Sequence, residues 1–228
     1  VAAGVTLTIE PGVTVKFDSS KVLEIEGTLV ARGTSSDKVT FTSSAASPSA
    51  GDWGYIKFED SSTDASFDGN GDYSAGSILE HCTVKYGGGI GTEHAVGAIL
   101  TDSSSPFINN CTVQYSKSNG VSITPGVAFK FTNNTLDSNG VSGLFTSGAV
   151  SGDSTVTISG NTSSNNGATA TDTWYNRGGM YIVHSGATTY ITNNTVTNNT
   201  GGDSAGIYAS VITVVITNDS GTVVTDAS

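Results

Sequence analysis

A short acidic segment has the spacing of a calcium-binding loop. Asp68, Asn70 and Asp72 alternate with glycine, and oxygen ligands at alternate positions can surround a hard cation. The pattern is incomplete, because Tyr73 stands where a further glycine is expected and Leu79 stands where an acidic ligand is expected. An acidic, glycine-rich insert is more often a solvated loop, so calcium is a candidate cofactor and no other cofactor is indicated.

Asparagine recurs in a repeated five-residue window that opens with Ile or Phe. The fourth position of the window holds His81, Asn110, Asn134, Asn161, Asn194 and Asp219 in turn. If the windows stack, the amides form a structural ladder at one corner, each bonding the backbone and its neighbours. The competing interpretation is N-glycosylation, because N-x-S/T sequons begin at Asn110, Asn133, Asn161, Asn193, Asn198 and Asn218. We favour the ladder, although Asn198 lies outside it.

The two cysteines stand in successive windows at the fifth position. Stacking would place the Cα atoms of Cys82 and Cys111 about 4.8 Å apart, within the range of a disulfide. Threonine holds the same position in later windows, which indicates a small interior slot. We favour a buried pair of free thiols, and the spacing leaves a disulfide as the alternative.

The composition excludes several classes of protein. The 228 residues carry 9 Lys+Arg against 20 Asp+Glu, a net charge of −11, and only 13% of them are charged. Scattered basic residues on an acidic chain argue against a nucleic-acid partner. No apolar run approaches the roughly 18 residues that a membrane span needs. Serine, threonine, asparagine and 29 glycines supply the polarity instead, which disfavours helices and favours an extracellular or cell-surface location.

The windows belong to a larger repeat. Glycines before short apolar strands recur in step with them, as at Gly97, Gly120 and Gly143, and indicate a unit of about 23 residues. Each unit holds short alternating β-branched runs between turn residues, and such units must stack to bury their apolar faces. The prediction is an all-β, parallel β-helix of about seven to eight coils. It forms a single domain over residues 1–228, with loop inserts near 61–77 and 167–177.

Several segments resemble a known group of proteins. The opening run 4–17, the strand 53–58 and the Asn-Asn-Cys/Thr turns are similar to those of right-handed parallel β-helix repeat proteins of the pectate-lyase-like superfamily. More narrowly, they resemble the large secreted and cell-surface proteins of bacteria and archaea that carry such repeats. The resemblance covers essentially the whole chain and implies a right-handed coil. It does not imply one activity, because the superfamily includes lyases, hydrolases, tailspikes, adhesins and inert scaffolds.

The same resemblance defines what a catalytic site would require. A lyase of this superfamily needs a Lys or Arg base beside carboxylates that coordinate calcium. Glu59 and Asp102 follow successive glycine-led strands, and Lys57 is a nearby base, so these three are the catalytic candidates. The Gly-His-Gly of pectin hydrolases and the Arg-x-Pro-x-x-Arg of pectate lyases do not occur in the sequence. An enzyme is therefore the less favoured interpretation.

Aromatic residues provide the last candidate site. Trp174, Tyr175 and Tyr181 could stack against sugar rings, which would make polysaccharide a partner. The sequence also shows no capping segment at either end of the repeat. We therefore expect a non-catalytic structural or adhesion module that self-associates end to end into filaments or joins flanking domains. The alternatives are a lyase-like carbohydrate-active enzyme and a carbohydrate-binding module.

Overall fold

The computed structural model describes residues 1–91, 96–168, 178–201, 205–221 and 223–225 as strands and turns. In chain order the strands are β1 (Thr6–Ile9), β2 (Thr14–Phe17), β3 (Leu23–Ile25), β4 (Thr28–Arg32), β5 (Val39–Ser43), β6 (Ile56–Phe58), β7 (Ser66–Phe67), β8 (Tyr73–Ala75), β9 (Ile78–Glu80), β10 (Cys82–Lys85), β11 (Gly97–Asp102), β12 (Phe107–Asn109), β13 (Thr112–Gln114), β14 (Asn119–Thr124), β15 (Lys130–Thr132), β16 (Thr135–Asp137), β17 (Leu144–Ser159), β18 (Thr162–Ser164), β19 (Met180–Thr192), β20 (Thr195–Thr197), β21 (Ile207–Thr217) and β22 (Val223–Thr225). A helix able to cross a membrane is absent from these described ranges.

Each coil contributes strands to three parallel faces in turn. Face 1 contains β1, β4, β9, β12 and β15; face 2 contains β2, β5, β10, β13, β16, β18 and β20; face 3 contains β3, β6, β11 and β14. The long strands β17, β19 and β21 serve two faces, because their first residues continue face 3 and their last residues continue face 1. Strand β22 extends face 3. The predicted all-β, parallel β-helix is confirmed.

The core is a set of apolar columns that run along the axis of the cylinder. Side chains alternate in and out along each strand, so one residue in two points inward. On face 1 the stacked inward column is Ile9, Ala31, Leu79, Ile108, Phe131, Ile158 and Ile191, all of them buried. The next outward column is Arg32, Glu80, Asn109, Thr132, Ser159, Thr192 and Thr217. Face 1 therefore carries a continuous polar stripe above an apolar interior.

The first predicted insert contains a β-hairpin. Strands β7 and β8 form an antiparallel hairpin within residues 61–77, and the hairpin packs on the outside of face 1. Phe67 meets Phe107 edge to face at 5.2 Å between ring centroids, and Tyr73 stacks on Phe107 at 6.3 Å. These contacts fix the hairpin against the polar stripe. Residues 169–177 of the second predicted insert lie outside the described residues.

Candidate functional site

A ladder of buried asparagines forms the corner between face 1 and face 2. The backbone N–H and Nδ2 of Asn134 both donate to Oδ1 of Asn161, at 2.9 and 3.1 Å. Asn161 donates in the same way to Oδ1 of Asn194, at 3.0 and 2.9 Å. Each Nδ2 also donates to a core carbonyl one coil earlier, as from Asn161 to Phe131 at 3.0 Å. All four hydrogen-bonding sites of the Asn161 side chain are thus used.

The cysteines belong to this ladder, and the predicted alignment of the first two windows is wrong by one residue. Thr83 pairs with Thr112, and Thr112 pairs with Thr135, so these are the residues in the threonine column. Cys111 stands at the ladder position, and its backbone N–H donates to Oδ1 of Asn134 at 2.9 Å. Asn110 instead lies one residue before the ladder position and has a φ of 53°. Asn133 is at the equivalent position of the next coil and has a φ of 58°. The misalignment arose because cysteine replaces asparagine in these two coils.

Both cysteines are buried free thiols. The Cys111 thiol donates to the Leu79 carbonyl at 3.3 Å, and the Cys82 thiol donates to the Ala31 carbonyl at 3.4 Å. These carbonyls are the core-column acceptors that asparagine Nδ2 atoms use in later coils. A hydrogen bond to Cys111 and burial raise the pKa of the Cys82 thiol above its ordinary value. The pair is a structural part of the ladder.

Asp219 closes the ladder at its other end. Its Oδ1 accepts from the backbone N–H and Nδ2 of Asn194, at 2.6 and 2.8 Å. Its Oδ2 is buried and has no partner among the described residues. Burial raises the Asp219 pKa, and the hydrogen bonds from Asn194 and Thr217 oppose that rise without cancelling it. The last position of the ladder therefore favours a neutral side chain.

A second ladder, which the sequence reasoning missed, forms the corner between face 2 and face 3. The backbone N–H of Ser116 donates to Asn139, and those of Asn139 and Asn166 donate to Oδ1 of Asn166 and Asn199, at 2.9 to 3.0 Å. The Nδ2 atom of Asn139 reaches the Val113 carbonyl. The sequence carries a signal for it, because each of these asparagines follows a first-ladder asparagine by 5 residues. Two ladders hold face 2 between them.

The sequon asparagines divide between the interior and the surface. Asn161 is 1% exposed and lies in the first ladder. Asn133, Asn193, Asn198 and Asn218 are exposed, each with φ between 56° and 58°. Asparagine tolerates this left-handed conformation better than most residues, so the turn itself accounts for their recurrence.

The three catalytic candidates meet on face 3. Lys57 Nζ lies 2.8 Å from a carboxylate oxygen of Glu59 and 3.4 Å from one of Asp102. Burial lowers the Lys57 pKa, but the hydrogen bonds and charges of Glu59 and Asp102 outweigh it and raise the pKa overall. A lysine acts as a general base only when neutral, and this arrangement favours the protonated form. The cluster has the properties of a surface ion-pair network.

The calcium candidates form the tip of the hairpin. Oδ1 of Asp68 accepts the backbone N–H groups of Asn70 and Asp72, at 2.9 and 3.0 Å. The Gly71 N–H donates to the Asp68 carbonyl at 2.9 Å. Asp68 thus uses one carboxylate oxygen to close the turn. In the described part of the chain, no group of three or more His, Cys, Asp or Glu side chains is placed to hold a metal ion.

Of the sugar-stacking candidates, Trp174 and Tyr175 lie outside the described residues. Tyr181 is the middle ring of a stack on the outside of face 3. Its centroid lies 4.9 Å from that of Phe145 and 5.2 Å from that of Tyr208, with interplanar angles of 10° and 7°. The stack follows from the register, which places these three residues side by side in adjacent coils.

The hairpin and the polar stripe of face 1 enclose a cleft of about 640 Å³. This hairpin cleft is lined by Arg32, Gly71, Asp72, Tyr73, Glu80, Phe107, Asn109, Lys130, Thr132, Asn133, Thr157 and Ser159. Its size is in the range of small-molecule sites. The sequence reasoning did not find it, because no spacing in the sequence connects the hairpin with all the coils that form the stripe.

A chain of hydrogen bonds runs along the floor of the hairpin cleft. Arg32 donates from Nε at 2.9 Å and from Nη2 at 2.8 Å to Oε2 of Glu80. Oε1 of Glu80 accepts from Nδ2 of Asn109 at 3.1 Å. Oδ1 of Asn109 accepts from the Thr132 hydroxyl at 2.8 Å and from Nδ2 of Asn133 at 3.2 Å. These hydrogen bonds fix the orientation of the side chains that form the floor.

One buried histidine lies apart from these sites. His184 is 4% exposed, and burial lowers its pKa to about 4. Its Nδ1 lies 3.3 Å from the Thr189 hydroxyl, and Nε2 has no partner among the described residues. The imidazole is neutral near pH 7 and packs edge to face on Phe129 at 6.1 Å.

Comparisons with known proteins agree with this architecture. Searches of curated proteins and of solved structures each found no match. A family model described as a right-handed β-helix region matches residues 5–196. Because that match covers most of a chain whose three faces are parallel, the chain belongs to the right-handed β-helix family.

Proposed function

We propose that the chain is a non-catalytic structural or adhesion module of a secreted or cell-surface protein. The observation that carries this proposal is the Lys57 cluster. The residues best placed for acid–base chemistry neutralise one another through two short ion pairs, and Lys57 is held in the protonated form that cannot act as a base.

The construction of the cylinder supports the same role. Two amide ladders and the apolar columns link each coil to the next, so local opening of one coil breaks contacts in its neighbours. Serine, threonine and asparagine are frequent among the exposed residues, and only 13% of the chain is charged, so hydroxyl and amide groups do much of the work of keeping this surface hydrated. These are useful properties for a rigid spacer outside the cell.

An assay of polysaccharide turnover tests the proposal. The purified chain is incubated with a panel of neutral and uronate polysaccharides, with calcium or with a chelator, and absorbance of unsaturated uronate and reducing ends are measured. We expect no turnover above that of heat-denatured protein. Calcium-dependent turnover that Glu59→Ala or Lys57→Met abolishes would overturn the proposal.

A cell-retention assay tests the adhesive role directly. The chain is displayed on the surface of a non-adherent cell, and retention on polysaccharide-coated and bare surfaces is measured under flow. We expect greater retention than for cells that display a β-rich domain of similar size. If these cells are retained no better than the control cells on any of the surfaces, the result would contradict an adhesive role.

A further inference from the structure

We propose that the hairpin cleft is a binding site for a neutral oligosaccharide. This inference adds a ligand to the module and does not depend on the absence of catalysis. It is separate from the Lys57 cluster, which lies on face 3, whereas the cleft lies on face 1 under the β7–β8 hairpin.

The shape of the cleft suits an extended chain of sugar rings. Its floor takes one outward residue from each of five successive coils, from Arg32 through Glu80, Asn109 and Thr132 to Ser159. Adjacent strands lie about 4.8 Å apart, so four steps span roughly 19 Å along the axis. That length accommodates a short oligosaccharide better than a single sugar.

The chemistry of the floor matches sugar hydroxyls. Planar amide, guanidinium and carboxylate groups stand beside hydroxyl side chains, and together they offer donors and acceptors at closely spaced points. The floor keeps unused capacity among the described residues: Oδ1 of Asn133 accepts no hydrogen bond, and the Ser159 hydroxyl accepts from Thr192 at 2.9 Å but has no acceptor of its own. A sugar hydroxyl can donate to Oδ1 of Asn133 or accept from the Ser159 hydroxyl.

The charges of the cleft balance. Arg32 is paired with Glu80, and the remaining charged side chains are Lys130 and Asp72, one of each sign. Lys130 donates to the Gly71 carbonyl at 2.7 Å and lies 4.0 Å from the centroid of Phe67. The cleft thus offers no excess of cations within a chain of net charge −11. An acidic glycan would meet repulsion that a neutral one avoids.

Several contacts hold the wall of the cleft in place. The guanidinium of Arg32 lies 5.3 Å from the centroid of Tyr73, and Tyr73 Oη donates to the Gly76 carbonyl at 2.6 Å. Together with the contacts to Phe107, these interactions hold the hairpin over the floor. Because the hairpin is already ordered in the free protein, binding does not have to supply the free energy of ordering it.

Affinity gel electrophoresis of the whole chain tests the inference. Native gels contain soluble glucan, mannan, galactan or xylan, with polygalacturonate as the acidic comparison, and migration is measured against a non-binding protein. We expect at least one neutral polysaccharide to retard the chain. The Ser159→Trp variant, which fills the cleft, should weaken that retardation at least tenfold.

A matched variant distinguishes occupation of the cleft from a general effect. Thr217 occupies the same outward column two coils further along and is exposed, so Thr217→Trp should leave retardation unchanged. A second pair makes smaller changes: Thr132→Ala should weaken retardation, and Thr217→Ala should leave it unchanged. Thermal melting checks that all four variants fold. The inference is overturned if no neutral polysaccharide retards the chain, if only polygalacturonate does, or if both tryptophan variants behave alike.

The outcome is independent of the proposed non-catalytic role. Polysaccharide that is bound but keeps its chain length supports both, and polysaccharide that is bound and shortened supports the cleft while overturning the absence of catalysis.

Discussion

The middle and the two ends of the first ladder place different chemistry at the same backbone position. In the middle, Asn134 and Asn161 both donate and accept, and their side chains are satisfied on both sides. At one end, Cys82 and Cys111 donate weakly through sulfur to the same type of core carbonyl. At the other end, Asp219 can only accept while ionised, and Oδ2 has no partner. The corner geometry therefore tolerates several residues, but only asparagine uses all of it.

The largest effect is expected from breaking the middle of the ladder. In Asn161→Ala, the Asn134 donors lose their acceptor and the Phe131 carbonyl loses its donor. Buried polar groups left unpaired cost about 1–3 kcal/mol each, so the free energy of unfolding should fall by roughly 3–5 kcal/mol. Urea denaturation followed by circular dichroism measures it.

The control for this variant is Asn193→Ala. Asn193 is exposed and has φ of 58°, so alanine there should cost only about 1 kcal/mol through backbone strain. Equal losses in the two variants would mean that the ladder contributes nothing beyond the turn.

A second prediction concerns repair of the Asp219 end. Asp219→Asn should supply an Nδ2 donor in place of Oδ2 and raise the free energy of unfolding at pH 7 by about 1 kcal/mol. The folded pKa of Asp219 is raised above 3.8, so the wild type has its full stability from this group below pH 3.8 and loses it as pH rises through the folded pKa. The advantage of the variant should therefore grow from acid to neutral pH.

Urea denaturation of both proteins at pH 3, 5 and 7 measures this difference. A constant difference across the three pH values would contradict a titrating Asp219, and a less stable variant at pH 7 would contradict the proposed repair.

A third prediction concerns the thiol end. Cys111→Asn places an amide donor where the Leu79 carbonyl now accepts only a weak hydrogen bond from the thiol, and the free energy of unfolding should stay equal to that of the wild type or rise by up to about 1 kcal/mol. Cys111→Ala, which removes the thiol and leaves a small void, should lose about 1 kcal/mol. Thermal melting ranks the three proteins, and an asparagine variant less stable than the alanine variant would show that the ladder cannot extend into these coils.

The smallest effect is one of reactivity. The raised pKa of Cys82 and the burial of both cysteines leave no accessible thiolate at pH 8, so an aromatic disulfide reagent should not react with the folded chain. After unfolding in urea without reductant, the same reagent should report two thiols per chain. A count of zero would show that the two cysteines are joined as a disulfide.

The accuracy of the sequence interpretation varied from corner to corner. Asn134, Asn161 and Asn194 were aligned correctly because their windows share the same residues around the turn. Asn110 was aligned one residue out of place because Cys111 takes the ladder position in its coil, and residue identity was the only guide. The 5-residue spacing to Asn139, Asn166 and Asn199 was present in the sequence, and it shows how a second corner can be recognised.

The candidate sites depended more strongly on the third dimension. The column that joins Glu59 and Asp102 was predicted from the repeat, yet its meaning changed once Lys57 was found between the two carboxylates. The hairpin cleft joins Tyr73 of the insert to Ser159 of β17, and no spacing in the sequence connects them.

The sequence by itself determined the type of fold, because the alternation of apolar residues and the recurrence of turn residues are local properties that repeat along the chain. The tertiary structure alone decided which polar residues have partners and which face a cleft. Those properties depend on the register between coils and on where the hairpin packs, and a shift of one residue is enough to change them.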